Sequence, residues 1–300
     1  MLHRVRLFMR GMTIRYPAVN PSRRRVLVGA LGGLLWPSRP TYARAPLTFG
    51  TTAVILDEQA DFLAAWRQYL ETRLRRPVDM VQRRSYRQIL VMLAEGKLDC
   101  AWLCGYPYVR MKAHLGLVAV PLYQGQPLYR SYLIVPAEDR STRGIADLRG
   151  KVFAFSDPDS NSGWLTPQVE LKRAGLDSST FFKKGFFTWS HRKVVEACAV
   201  GLAQGGAVDG YIWDTLAHLH PELTAATRVV WRSPEYGFPP IVMRRGLAEE
   251  ASDLKHALLE MSETPPGRHL LGRLNLDGFV AGDPRLYDGI EANWRYLQGA

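Results

Sequence analysis

The sequence predicts an α/β protein of two lobes, on three observations. Short apolar runs alternate with helical patterns along most of the chain. Two of these runs, Asp99 to Cys104 and Val152 to Phe155, pass straight into residues that open a helix. The chain, at 300 residues, exceeds one domain of ordinary size.

The elements follow in order. Leu47 to Thr52 reads as a strand, and Asp57 to Leu74 as a helix with Phe62, Ala65, Trp66, Tyr69 and Leu70 on one face. Val78 to Gln82 is a strand, and Ser85 caps a helix over Tyr86 to Glu95 that Gly96 ends. Asp99 to Cys104 is a strand, Gly105 opens a short helix, and Leu117 to Tyr123 and Tyr129 to Val135 are strands. Val152 to Phe155 leads to a helix over Leu165 to Ala174. Phe181 to Phe187 is a strand, and Ser190 caps a helix over His191 to Val200. Ala207 to Trp213 reads as a strand with Asp214 beginning the next helix, then come strands Thr227 to Arg232 and Phe238 to Met243. Helical patterns over Ala248 to Met261, Pro265 to Leu271 and Pro284 to Leu297 complete the chain. Lobe 1 is expected from 46–134 plus 236–300, and lobe 2 from 135–235.

The formal charge of +11 is misleading until its location is considered. Residues 1–45 hold nine Arg and no Lys, Asp or Glu, leaving thirty basic against twenty-eight acidic residues in the rest. A general phosphate-backbone surface needs clustered cations, so nucleic acid is not an expected partner. Ser22-Arg23-Arg24-Arg25 precedes the apolar, small-residue run from Val28 to Trp36 and the end Ala43-Arg44-Ala45. This layout is that of a twin-arginine export signal over 1–45, with cleavage open between Ala43 and Ala45. The expected location is the periplasm. The run is shorter than the roughly 20 apolar residues of a membrane span.

Cys100, Cys104 and Cys198 form an odd set. Residues four apart on a strand lie roughly 13 Å apart, so Cys100 and Cys104 are expected to stay unpaired. No Cys or His spacing suggests zinc, and no cofactor is expected.

The chemical candidates centre on Asp157-Pro158-Asp159-Ser160-Asn161-Ser162-Gly163. A helix start leaves about four N–H groups unpartnered and, with the axial dipole, suits an anion. Ser160 and Ser162 add hydroxyls, and Gly163 would let a ligand approach the backbone. The same residues also make an ordinary helix cap. Ser190 and His191 form a second such start, and Cys104 to Tyr108 a third at the carboxyl end of a strand. Asp209 reads as structural, and Asp214, at a strand end, as the acid that faces ligand. An enzyme reading draws Ser162, His191 and Asp209 or Asp214 as a triad, but no nucleophile elbow, phosphate loop or dinucleotide fingerprint supports catalysis.

Asp157-Pro158-Asp159-Ser160-Asn161-Ser162-Gly163 resembles the Asp-Pro-x-Ser-x-Ser-Gly motif of periplasmic phosphonate- and phosphite-binding proteins of ABC transporters. Ser190-His191 resembles their Gly-Ser-His segment and Val208-Asp209-Gly210 their Val-Asp-Ala. The resemblance implies a type II periplasmic binding protein fold, with hinged lobes that each carry a mixed, mostly parallel sheet flanked by helices. It implies a non-catalytic protein that closes on a phosphonate, phosphite or phosphate-like oxyanion and delivers it to an ABC permease. Ser160, Asn161, Ser162 and Gly163 would hold the oxyanion, and Ser190 and His191 would add donors. Tyr106 or Tyr108 would supply the family's aromatic, and Asp214 would lie near its amino-group acid. The family's middle hydroxyl is here Asn161, and Thr51-Thr52-Ala53-Val54 lacks an aromatic found in some relatives. Arsenite-sensing proteins resemble the same family and use a cysteine, so Cys104 allows a second reading, a sensor signalling to a histidine kinase. A Ser-His hydrolase is the third.

Overall fold

A computed structural model describes residues 44–52 and 60–299. The proposed export signal, except for its last two residues, lies outside the described residues, as do Ala53 and Val54. The chain alternates β1 (Leu47–Thr52), α1 (Ala60–Leu74), β2 (Val78–Arg83), α2 (Tyr86–Ala94), β3 (Cys100–Trp102), α3 (Gly105–Met111) and β4 (Leu115–Leu122). It then crosses through β5 (Leu128–Tyr129) to β6 (Ser131–Pro136), β7 (Val152–Phe155), α4 (Thr166–Arg173), α5 (Ser178–Phe181), β8 (Lys184–Phe187), α6 (His191–Ala199) and β9 (Gly205–Asp209). From α7 (Gly210–Leu219), α8 (Pro221–Ala225) and β10 (Thr227–Arg232) it returns through β11 (Tyr236–Gly237) to β12 (Ile241–Arg244). It ends with α9 (Ala248–Leu259), α10 (Pro265–Leu274), β13 (Gly278–Ala281) and α11 (Asp288–Gln298).

Two mixed sheets result. The first runs β13-β4-β12-β3-β1-β2, the second β10-β6-β9-β7-β8. In each, three strands are parallel around a centre, β1 between β2 and β3, and β7 between β8 and β9. The remaining neighbours pair antiparallel. The carboxyl ends of β1 and β3 and those of β7 and β9 lead into the candidate segments, the expected ligand side of an open α/β sheet. The two crossings pair with each other in an antiparallel ribbon, Tyr129 opposite Tyr236 and Leu128 opposite Gly237. β6 lies wholly in the second sheet, directly after the β5 segment Leu128–Tyr129.

The first lobe is built on buried aromatics. Trp66 of α1 meets Phe49 and Trp102 edge-on at 5.2 and 5.7 Å. In the second lobe, Val194, Val195 and Cys198 of α6 pack on one face of the sheet, and Phe153, Phe155, Leu171 and Phe181 cover the other. The C-terminal α11 ties the lobes together: Lys172 of α4 donates to Tyr296 O at 2.6 Å and Arg173 to Asn293 Oδ1 at 3.1 Å.

Two expectations need correction, and one strand had gone unread. The run from Ala207 to Trp213 is not one strand. β9 ends at Asp209, whose carboxylate accepts the Tyr211 N–H at 2.9 Å and so caps α7 from Gly210. Tyr, Ile and Trp favour strands, but the cap and the packing of Gly210 against the Tyr132 ring override that preference. Cys104 is not in a strand, since β3 stops at Trp102 and Cys104 is the residue before α3. β13 was not foreseen; Gly278 to Ala281 completes the first sheet by pairing with β4.

Candidate functional site

The site begins where β7 ends. Ser160 precedes a wide π-type turn, Asn161–Leu165, that continues directly into α4. Its Oγ accepts the Gly163 N–H at 3.0 Å, so this hydroxyl serves the helix. Asn161 reaches across to the other lobe. Its N–H donates to Cys104 Sγ at 3.2 Å and its Nδ2 donates to Tyr129 OH at 2.9 Å. The Ser162 carbonyl accepts from Ser131 Oγ at 2.8 Å. Gly163 does not face open space as expected. A β-carbon there would fall 1.8 Å from Ser156 Oγ and 3.2 Å from His191 Cε1, so its bare Cα makes room for these two side chains.

Several buried side-chain oxygens have no protein partner: Ser162 Oγ, Asn161 Oδ1, Ser156 Oγ and Thr166 Oγ1 in the second lobe, and Thr51 and Thr52 Oγ1 at the end of β1. Buried polar atoms are nearly always paired, so these oxygens at two strand ends, with the Tyr129 hydroxyl beside Ser162 and the Tyr86 hydroxyl beside Thr52, are a candidate lining for a polar ligand.

The second helix start lies alongside. Trp189 adopts a left-handed conformation (φ 63°), costly for a bulky residue, and its N–H donates to Ser156 O at 2.7 Å. That turn sets Ser190, whose Oγ accepts the Lys193 N–H, at the start of α6. His191 is buried, and its Nδ1 accepts the Asp209 N–H at 3.0 Å. Burial lowers its pKa to about 3. The neutral ring therefore carries its proton on Nε2 and acts as a donor. This tautomer cannot take a proton from Ser162, and no carboxylate orients Nδ1, so the triad does not form.

Cys104 is buried at the cleft, and burial pushes its thiol up to about 11 despite the N–H groups of Asn161 and Tyr106 and the neighbouring Tyr129 hydroxyl. The three cysteines are all free. The two candidate tyrosines separate: Tyr106 lies half-buried beneath the Arg110 guanidinium, 5.5 Å from its ring centre, whereas Tyr108 packs edge-on against Tyr287 at 5.0 Å. Asp214 sits inside α7, where it accepts from Tyr132 at 2.9 Å and Tyr123 at 3.1 Å. Burial raises its pKa. It lines a separate recess with Gln124, His218, Asn275 and Asp277.

The charged groups belong to lobe closure. Asp157 accepts the Tyr86 N–H of the other lobe at 3.2 Å, and Asp159 pairs with Arg110 at 2.5 Å and Arg87 at 3.4 Å. Burial pushes Asp157 up to about 6 and Asp209 to about 8, against the N–H donors each accepts. Sequence reasoning did not single out Tyr86 or Tyr129, and it quoted Asp159, Thr51 and Thr52 without giving them a role; the place of the two threonines at a strand's carboxyl end is the signal that could have found them.

This arrangement has relatives. Residues 53–287 match the family described as ABC transporter, phosphonate, periplasmic substrate-binding protein. The phosphate-import protein of Mycolicibacterium smegmatis is 26% identical over 206 residues, 64% of this chain and 63% of its own. The phosphonates-binding periplasmic protein of Escherichia coli is 26% identical over 265 residues, 84% of this chain and 77% of its own. The match thus spans less than two thirds of the first of these relatives. Among solved structures, a Prochlorococcus marinus protein in complex with methylphosphonate superposes with a TM-score of 0.74 at 22% identity, over 85% of this chain and 98% of that one, which shows the shared fold. The chain belongs to the family of periplasmic substrate-binding proteins of phosphonate ABC transporters.

Proposed function

We propose that this protein captures a small oxyanion, a phosphonate, phosphite or phosphate-like species, between its lobes and presents it to an ABC permease in the inner membrane. The observation that carries this reading is the group of buried, unpartnered hydroxyls at the Asn161 helix start and the β1 end, beside a neutral, proton-donating His191. Hydroxyls, N–H groups and a helix N-terminus match the oxygens of a tetrahedral anion. Ser162 and His191 are the primary donors in this reading, with Asn161 and the β1 threonines completing the shell. Ser160 and Ser190 position them as caps, and Tyr106 borders the entrance. The relatives are named for phosphate and phosphonates, in keeping with this chemistry. Export through residues 1–45 as a twin-arginine substrate forms part of the proposal.

The test is a thermal-shift titration of the protein with phosphate, phosphite, methylphosphonate and sulfate. A ligand held by the folded state raises the melting temperature with concentration. Ser162→Ala should lose the shift while the unliganded protein keeps a cooperative unfolding transition, because Ser162 Oγ makes no hydrogen bond of ordinary geometry and meets only the neighbouring Tyr129 hydroxyl. No shift with any of these anions, from protein with a cooperative unfolding transition, would overturn the reading.

A further inference from the structure

Asn161 brings to the helix start an atom that hydroxyl residues lack, a carbonyl oxygen that can only accept. Its amide nitrogen donates to the Tyr129 hydroxyl at 2.9 Å. Oδ1 is then the atom left over, buried and without a partner. A fully ionised oxyanion offers only lone pairs and would meet this oxygen lone pair to lone pair. A hydrogen-bearing oxyanion satisfies it.

The charges point the same way. The titratable and charged groups around this position are Tyr86 and Arg87 of α2, Cys104 just before α3, Tyr106 and Arg110 of α3, Tyr129 of β5, and Tyr287 just before α11. Asp157 and Asp159 face it from the loop before Asn161, His191 from α6, and Asp209 and Tyr211 from the β9–α7 junction. Both arginines are engaged by Asp159. His191 is neutral because its Nδ1 is used as an acceptor in a buried site. A dianion would be met by hydroxyls and dipoles beside two buried carboxyl groups, Asp157 and Asp209, with no unengaged Lys or Arg buried there among the described residues.

We propose that Asn161 makes the site selective for protonation state, so that the ligand is held as its monoanion with the P–OH donating to Asn161 Oδ1. This inference rests on the oxyanion reading above and names the ionic form that the site takes.

The experiment is calorimetric titration of the protein with methylphosphonate and, separately, phosphite from pH 5 to 9. The two acids lose their second proton at different pH. Affinity should be level below each ligand's own second ionisation and fall tenfold per pH unit above it, with the break displaced from one ligand to the other. A break at one common pH for both would report a protein group and overturn the proposal. So would affinity that rises as the dianion forms, or sulfate binding as tightly as methylphosphonate. In Asn161→Ser, whose hydroxyl can donate or accept, the fall above the ligand's ionisation should disappear. A wild-type profile in that variant would remove Asn161 from the role. If neither ligand binds at any pH, the oxyanion reading fails and this inference with it, whereas binding with the wrong pH profile defeats this inference alone.

Discussion

The backbone N–H of Asn161, in the second lobe, donates to the sulfur of Cys104, in the first, at 3.2 Å. The bond joins the two lobes at Asn161, beside the unpartnered Ser162 and Asn161 oxygens. Cys104→Ala would leave that N–H without an acceptor in the closed form, at a cost of about 1 kcal/mol or somewhat more. Ligand affinity should fall by roughly five- to tenfold. Cys104→Ser keeps an acceptor and should bind within a few-fold of wild type. Calorimetry on the three proteins checks this, and equal affinity for the alanine variant would show that the contact contributes nothing to closure. The thiol, buried and with its pKa near 11, should react slowly with a maleimide, and more slowly still when ligand is present.

Asp159 clasps two arginines, but unequally. Its own side chain is 4% exposed, while Arg110 is 39% and Arg87 71% exposed. The shorter and better shielded pair with Arg110 should stabilise closure by up to about 1 kcal/mol, and the longer pair with Arg87 by almost nothing. Arg110→Ala should therefore speed ligand dissociation several-fold in stopped-flow measurements, with Arg87→Ala close to wild type. The reverse order would show that Arg87 is the effective latch.

Gly163→Ala should destabilise the fold, because the new methyl would overlap Ser156 Oγ and approach Ser156 Cβ to 2.7 Å. Overpacking of this kind costs about 1–3 kcal/mol. Adding Ser156→Gly removes both clashing atoms and should restore much of the melting temperature. Failure of the double variant to recover would place the strain at His191 instead.

The buried acids give a pH signature. Asp209, pushed by burial to about 8, holds its proton more tightly in the folded state than in the unfolded chain, whose Asp titrates near ~4. Its contribution is fully present below the unfolded pKa and is lost as pH rises through 8. Asp157, raised to about 6, acts in the same direction over a narrower range. His191, lowered to about 3, does the opposite, costing stability as pH falls from about 6.5. Asp209→Asn keeps an oxygen for the Tyr211 N–H and should flatten the loss of stability between pH 5 and 8, measured by denaturant midpoints. An unchanged slope would show that Asp209 does not hold a proton in the fold.

What the sequence by itself determined is local. The alternation of apolar runs and helical patterns, the caps at Ser85, Ser160 and Ser190, and the order of the motifs each depend on residues within a turn or two of one another. Hydrogen bonding and periodicity over such distances can be read from spacing. Where local preference and tertiary packing disagree, as at Tyr211-Ile212-Trp213, the reading fails, because Asp209 caps a helix that strand-favouring residues continue. The tertiary structure alone decided which polar groups are spent and which remain. Ser160 and Ser162 are two residues apart and chemically alike, yet Ser160 Oγ is used by its own helix while Ser162 Oγ keeps no protein partner. Likewise Tyr106 and Tyr108 part company because one helix face meets Arg110 and the other meets Tyr287. Tyr86, Arg110 and Tyr129 come to the Asp157–Asn161 stretch from distant parts of the chain through the meeting of the lobes. Contacts between residues some thirty to seventy positions apart are fixed by how two sheets face each other, a relation carried by the whole fold and by no single stretch of it.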